Sequence, residues 1–183
     1  MGGDVPGVGS TNYMEPAATD DTITTNGLPD ISPPSQGGGF DQSYDYSFVQ
    51  ARDKWGIPFA LLKAHAIAES SLNSAAYRLE PSGKASYGLM QVLWWSGSDR
   101  FKKYGASADD IGDGSILYQP DKNVDIAAQL IKDNLAACSG NLRDTINMYN
   151  TGVKESVRQA PANYVDKVLN YYGKITGKDM SNV

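Results

Sequence analysis

A helix that is apolar on nearly all of its faces is the feature that most restricts the fold of this chain. The segment IPFALLKAHAIAE at 57–69 places Pro58 where the first turn of a helix favours proline. Of the ten residues from Phe59 to Ala68, eight are apolar. Because such a helix would expose apolar surface in every direction, it predicts a core in which other helices surround it.

The segments that follow show the three- and four-residue spacing of amphipathic helices, with little of the alternation that a sheet requires. The apolar stripes consist of Val124, Ala127, Ala128, Ile131 and Leu135; of Leu142, Ile146 and Tyr149; and of Ala162, Val165, Leu169 and Tyr172. Gly140, the Asn-Thr-Gly at 150–152 and Pro161 separate these helices. The pattern predicts a mainly α fold around one core. Segment 105–120 is predicted to be an irregular loop with room for a short β-ribbon.

The first forty residues differ in composition from the rest of the chain. They contain five acidic residues and no lysine or arginine, together with 8 of the 19 glycines and 5 of the 9 prolines. Such a composition has too few large apolar side chains for a core and is typical of linkers and disordered leaders. We therefore predict two parts: residues 1–40 form a flexible or partner-bound, low-complexity arm, and residues 41–183 form the folded domain.

Charge and cysteine usage exclude several functional classes. The formal charge is −5, and the chain beyond the arm is neutral with 16 acidic and 16 basic residues, so a nucleic-acid surface is not expected. One cysteine, Cys138, excludes an intramolecular disulfide, and with a single histidine, His65, it cannot supply a zinc site. We expect no metal and no cofactor. The sequence has no apolar run of membrane-spanning length and begins without the pattern of a secretory signal peptide.

A single carboxylate, Glu69, follows the buried helix. Removal from water favours the neutral acid and raises its pKa, which suits a general acid, whereas an exposed Glu69 would simply pair with a surface lysine. His65 precedes it by four residues on a similar face, where an isolated histidine is more often a packing residue than a catalytic one. Of the adjacent Trp94 and Trp95, one is expected in the core and the other could stack on a ligand. Cys138 is interpreted as a small buried apolar residue.

Three short motifs follow in order: Glu-Ser-Ser-Leu-Asn at 69–73, Ser-Tyr-Gly-Leu-Met-Gln at 86–91 and Met-Tyr-Asn-Thr-Gly at 148–152. They resemble the soluble lytic transglycosylase and goose-type lysozyme-like superfamily, whose usual motifs are Glu-Ser-x-x-Asn, Gly-Leu-Met-Gln and Ala-Tyr-Asn-Ala-Gly. The resemblance covers about residues 45 to 172, and Gln-Pro-Asp-Lys-Asn at 119–123 adds a fourth match. It implies a lysozyme-like helical domain that cleaves the MurNAc–GlcNAc bond of peptidoglycan glycan strands.

The resemblance also implies roles for individual residues. Glu69 takes the position of the catalytic acid/base, Met90 and Gln91 that of the residues lining the sugar cleft, and Tyr149 and Asn150 that of the pair near the carboxylate. A transglycosylase needs only this one carboxylate, because the MurNAc 6-hydroxyl replaces water as the nucleophile.

Some assignments stay open. The loop between Glu69 and Gly88 is longer than the common form, so the serine that contacts substrate in the family corresponds to Ser82 or Ser86. A goose-type hydrolase would use a second carboxylate, for which Glu80 and Asp99 are the candidates.

The biological setting has alternatives as well. A structural virion or adaptor protein could keep the fold as a scaffold without catalysis. The arm, and a sequence without a signal peptide, favour a phage protein that serves wall penetration or lysis, located in the virion or at the host periplasm and cell wall. Residues 1–40 would then bind virion or tail proteins, while endolysin, tail-associated lysin and secretion component stay alternatives.

Overall fold

The computed structural model describes residues 27–31, 40–80, 82–94, 114–152, 154, 156, 158–161, 163–180 and 182–183. Five α-helices are found in this part: α1 (Asp45–Trp55), α2 (Phe59–Ser70), α3 (Pro120–Ala137), α4 (Leu142–Thr151) and α5 (Tyr164–Thr176). A 3₁₀ helix, Ser115–Tyr118, precedes α3. The predicted mainly α fold is confirmed. None of the described helices has the length and apolar character needed to cross a membrane.

Helix α2 lies at the centre of the molecule. All ten of its residues from Phe59 to Ala68 are buried, and it packs against α5 and α1, while α3 packs against α1 and α4. The lysine in its middle is buried as well, because the Lys63 ammonium forms an ion pair with Asp45 at 2.6 Å. The interpretation of this segment as an enclosed helix is therefore confirmed.

A small antiparallel sheet lies between α2 and the later helices, where the helical pattern gave no indication of one. Its strands are β1 (Tyr77–Leu79), β2 (Ala85–Tyr87) and β3 (Val92–Trp94), in that order. Each has three residues, too few for a period of two to be recognised. The β-ribbon expected in 105–120 is absent from the described part of that segment, residues 114–120, where 115–118 form a 3₁₀ helix. Residues 105–113 lie outside the described residues.

A short piece of the predicted arm, residues 27–31, contacts the folded domain. The Asp30 carboxylate accepts a hydrogen bond from the Ala60 amide at 3.2 Å, in the first turn of α2. The Tyr172 hydroxyl of α5 donates to the Pro29 carbonyl. Since α2 has no side-chain cap of its own, Asp30 satisfies an amide that its first turn would otherwise leave open.

Candidate active site

Glu69 is the penultimate residue of α2, and its carboxylate is partly buried. Oε1 accepts a hydrogen bond of 2.5 Å from the Tyr164 hydroxyl. Burial raises the pKa of Glu69 above its ordinary value, against the opposing effects of the Tyr164 hydrogen bond and of the positive charges of Arg78 and Lys167. The carboxyl group can therefore hold a proton, yet the groups around it also stabilise its ionised form.

Tyr164 is a site residue that the sequence reasoning missed. It is the first residue of α5, and Asn163 before it adopts a left-handed conformation that directs the chain into the helix. Burial, followed by the negative charge of Glu69, raises the pKa of Tyr164, so it remains a phenol that can donate. Lys167, one turn further along α5, donates to the Ala68 carbonyl at 2.6 Å. Helix α5 thus holds the last turn of α2 through two side chains of one face.

Tyr149, near the C-terminal end of α4, connects the Gly-Leu-Met-Gln turn to α2. Its hydroxyl donates to the Met90 carbonyl at 2.7 Å, and its ring lies 4.8 Å from the His65 ring. His65 is one turn before Glu69 on α2. The motif tyrosine therefore lies beside the helix that carries the carboxylate, while the direct hydrogen bond to Glu69 comes from Tyr164.

The Gly-Leu-Met-Gln turn between β2 and β3 is held by a buried asparagine of α3. Asn123 accepts from the Met90 amide at 2.8 Å and donates to the carbonyls of Tyr87 and Leu117 at 2.8 and 2.9 Å. Gly88 has a φ of +70°, and a Cβ there would overlap the Leu117 carbonyl and the Asn123 side chain. The fourth motif match, at 119–123, thus supplies the anchor of the second motif.

Met90 and Gln91 differ in their access to a ligand. The Met90 side chain has no exposed surface, so it packs in the core, in contrast to the expected cleft-lining role, and Met90 contacts Asn123 and Tyr149 through its backbone amide and carbonyl. Gln91 is partly exposed, and its amide nitrogen donates to the Gly88 and Ala76 carbonyls at 3.1 and 3.3 Å. Its φ of +46° is uncommon for a residue other than glycine.

The two candidate serines lie in different environments. Ser82 is exposed between β1 and β2, whereas Ser86 is buried in β2 and its hydroxyl donates to Glu80 at 3.2 Å. The same Glu80 oxygen accepts from Arg78 at 2.7 Å. One candidate for a second carboxylate is therefore already bound by a guanidinium and a hydroxyl.

The remaining candidates are placed as follows. Asn150 is partly buried in α4, next to Tyr149, and Trp94 is partly buried with its ring 6.2 Å from that of Tyr87. Cys138 is buried, as expected. Trp95 and Asp99 lie outside the described residues.

Comparisons with known proteins give consistent matches. The family model of the transglycosylase SLT domain matches residues 47–168. Protein IpgF of Shigella flexneri and that of Shigella sonnei are each 26% identical over 133 residues, which cover 73% of this chain and 83% of theirs. An inactive glutamate-to-glutamine variant of lytic transglycosylase Slt from Pseudomonas aeruginosa has a solved structure that matches with a TM-score of 0.61 at 20% identity. That match covers 77% of this chain and 26% of the other, and it shows a shared fold.

Proposed function

Since this chain belongs to the SLT transglycosylase family and is a peptidoglycan lytic transglycosylase of lysozyme-like fold, we propose that Glu69 is its single acid/base. Glu69 protonates the glycosidic oxygen between MurNAc and GlcNAc, and the bond to C1 breaks. The resulting carboxylate removes the proton of the MurNAc 6-hydroxyl, whose oxygen closes onto C1. The product is a 1,6-anhydro ring, and no water is consumed.

The observation that carries this proposal is a partly buried carboxylate with a raised pKa at the end of a buried helix, bound by one phenol. Burial supplies the protonated form that the first step needs. The Tyr164 hydroxyl, with the positive charges of Arg78 and Lys167, favours the carboxylate that the second step needs. These opposing effects let one group serve as the acid in the first step and as the base in the second.

Glu80 is a poor second carboxylate by comparison. A hydrolase needs a carboxylate that can bind and activate a water, whereas Glu80 Oε1 already accepts hydrogen bonds from Arg78 at 2.7 Å and Ser86 at 3.2 Å. The P. aeruginosa relative is inactive as a glutamate-to-glutamine variant, and that exchange removes the kind of group that we assign to Glu69.

The proposal extends to substrate contacts. We assign Gln91, Tyr149 and Asn150 to the walls of the glycan site, since all are partly exposed and lie on the turn and helix next to α2. Of the two serines, Ser82 is accessible to a sugar, while Ser86 is buried and holds Glu80.

The reaction products test the single-carboxylate mechanism. We expect muropeptides with 1,6-anhydro MurNAc ends, each lighter by one water than its hydrolytic counterpart, in mass spectra of digested peptidoglycan. The Glu80→Gln variant should give the same products at a similar rate, because Glu80 has no step to perform. Reducing ends, together with a requirement for Glu80, would support the goose-type hydrolase instead.

We further propose that residues 1–40 attach the enzyme to a phage particle, so that it serves wall penetration or lysis from the virion or at the host cell wall. The acidic, glycine- and proline-rich composition supports a tether rather than a catalytic part. Within that region, residues 27–31 fix the end of the tether to the domain.

Two deletions separate these roles. Removal of residues 1–26 should leave peptidoglycan cleavage unchanged and abolish co-sedimentation with phage particles.

Removal of residues 1–39 also deletes the Asp30 cap and the acceptor of Tyr172, so the free energy of unfolding in urea should fall by about 2 kcal/mol. A folded protein that lacks residues 1–26 and no longer cleaves peptidoglycan would contradict this division.

A further inference from the structure

The single histidine of the chain is buried one turn before Glu69 and has no part in the chemistry above. His65 has no exposed surface, and burial lowers its pKa to about 3, so the ring is neutral. Its Nδ1 lies 3.4 Å from the Tyr164 hydroxyl oxygen. Among the described residues, its Nε2 has no hydrogen-bond partner.

The positions of the protons follow from these distances. Tyr164 has one hydroxyl proton, and its oxygen is 2.5 Å from Glu69 but 3.4 Å from His65, so the proton is directed to Glu69. The contact with His65 is then a hydrogen bond only if Nδ1 carries a hydrogen. A neutral imidazole has one N–H, which leaves Nε2 without a hydrogen. This agrees with the absence of an acceptor for Nε2 in the described part of the chain.

We propose that His65 is a positioning residue: as the Nδ1–H imidazole it donates to the Tyr164 oxygen and thereby directs the Tyr164 proton to Glu69 Oε1. The proposal rests on the acid/base role of Glu69. Because Oε1 accepts from Tyr164, the acid proton of Glu69 resides on the other carboxyl oxygen, Oε2. The chain of hydrogen bonds thus decides which oxygen presents the proton to the glycosidic bond.

The same two hydrogen bonds with donors and acceptors exchanged are less favourable. Glu69 would donate to Tyr164 and Tyr164 to Nδ1, so the acid proton would be held by the tyrosine instead of being available to the substrate. The imidazole hydrogen would then lie on Nε2, as a buried donor that has no acceptor among the described residues, and such a donor is destabilising. The Tyr149 ring, tilted by 54° at 4.8 Å, packs against the imidazole and holds its orientation.

The tautomer can be observed directly in the full-length protein. With one histidine in the sequence, the imidazole ¹⁵N signals need no assignment among several residues. We expect a neutral ring with the hydrogen on Nδ1 at neutral pH. A hydrogen on Nε2, or a doubly protonated ring, would overturn the proposal. This measurement does not depend on catalysis, so it tests the His65 proposal separately from the role of Glu69. If the ring carries its hydrogen on Nδ1 but Glu69→Gln is still active, only the acid/base role of Glu69 is refuted.

Two variants test the effect on the reaction. Asn in place of His65 can present an amide N–H near the position of Nδ1, whereas Leu has a similar size and no donor. We expect His65→Leu to lower kcat about tenfold at unchanged KM, the effect of losing one hydrogen bond of about 1.4 kcal/mol, and His65→Asn to restore most of it.

The pH profile distinguishes positioning from packing. Without the His65 donor, Tyr164 stabilises the Glu69 carboxylate less, so the kcat profile of His65→Leu should move to higher pH. Arg78, Lys167 and Glu80, the other groups that act on the pKa of Glu69, remain the same in both variants. The proposal would be overturned if His65→Leu and His65→Asn had equal kcat values and equal pH profiles, or if both lost the same fraction of the wild-type kcat.

Discussion

Exchange of Glu69 for glutamine should lower kcat by a factor of roughly 10² to 10⁴, the contribution of general acid–base catalysis. Glutamine keeps the shape and can still accept from Tyr164, but it cannot deliver a proton to the glycosidic oxygen. The decrease in turbidity of a peptidoglycan suspension measures the rate. A variant that retains most of the wild-type rate would eliminate Glu69 as the acid.

The same variant should not lose stability. Folding raises the pKa of Glu69, so the folded state keeps a proton that the unfolded chain releases as pH rises from the unfolded to the folded pKa. The stability contributed by this group is therefore present at low pH and lost through that interval. Urea denaturation above the interval should show Glu69→Gln to be at least as stable as the wild type. A variant less stable than the wild type above the interval would contradict this expectation.

Exchange of Asn123 for alanine should lower the free energy of unfolding by about 3 kcal/mol, because three buried backbone groups lose their partner. The Gly-Leu-Met-Gln turn would loosen, and with it the Met90 carbonyl that binds Tyr149. Urea denaturation measures the first effect, and the turbidity assay measures the resulting loss of activity.

Asn134 provides a matched control on the same helix. It is also a buried asparagine of α3, but its side-chain amide nitrogen has no partner among the described residues. Asn134→Ala should therefore destabilise the protein far less than Asn123→Ala. Equal losses for both variants would show that the hydrogen bonds of Asn123 are not the source of the effect.

Much of the fold could be predicted because helices leave a local record in sequence. The apolar run of α2 predicted an enclosed helix. The apolar stripes at 124–135, 142–149 and 162–172 predicted three further helices, which correspond to α3, α4 and α5. The small sheet could not be predicted in the same way. Its three-residue strands are stabilised by pairing with each other, and no strand is long enough to show a pattern of its own.

That a carboxylate follows an enclosed helix could be read from local sequence, since both the apolar run and Glu69 lie within one short segment. The groups that surround that carboxylate are known only from the packing of distant segments. Tyr164 reaches Glu69 from 95 residues away, and Asn123 binds Met90 across 33. Such contacts depend on how α5 and α3 pack against the core, so no local spacing encodes them. The tautomer inferred for His65 likewise follows from the packed arrangement of two other side chains around its ring.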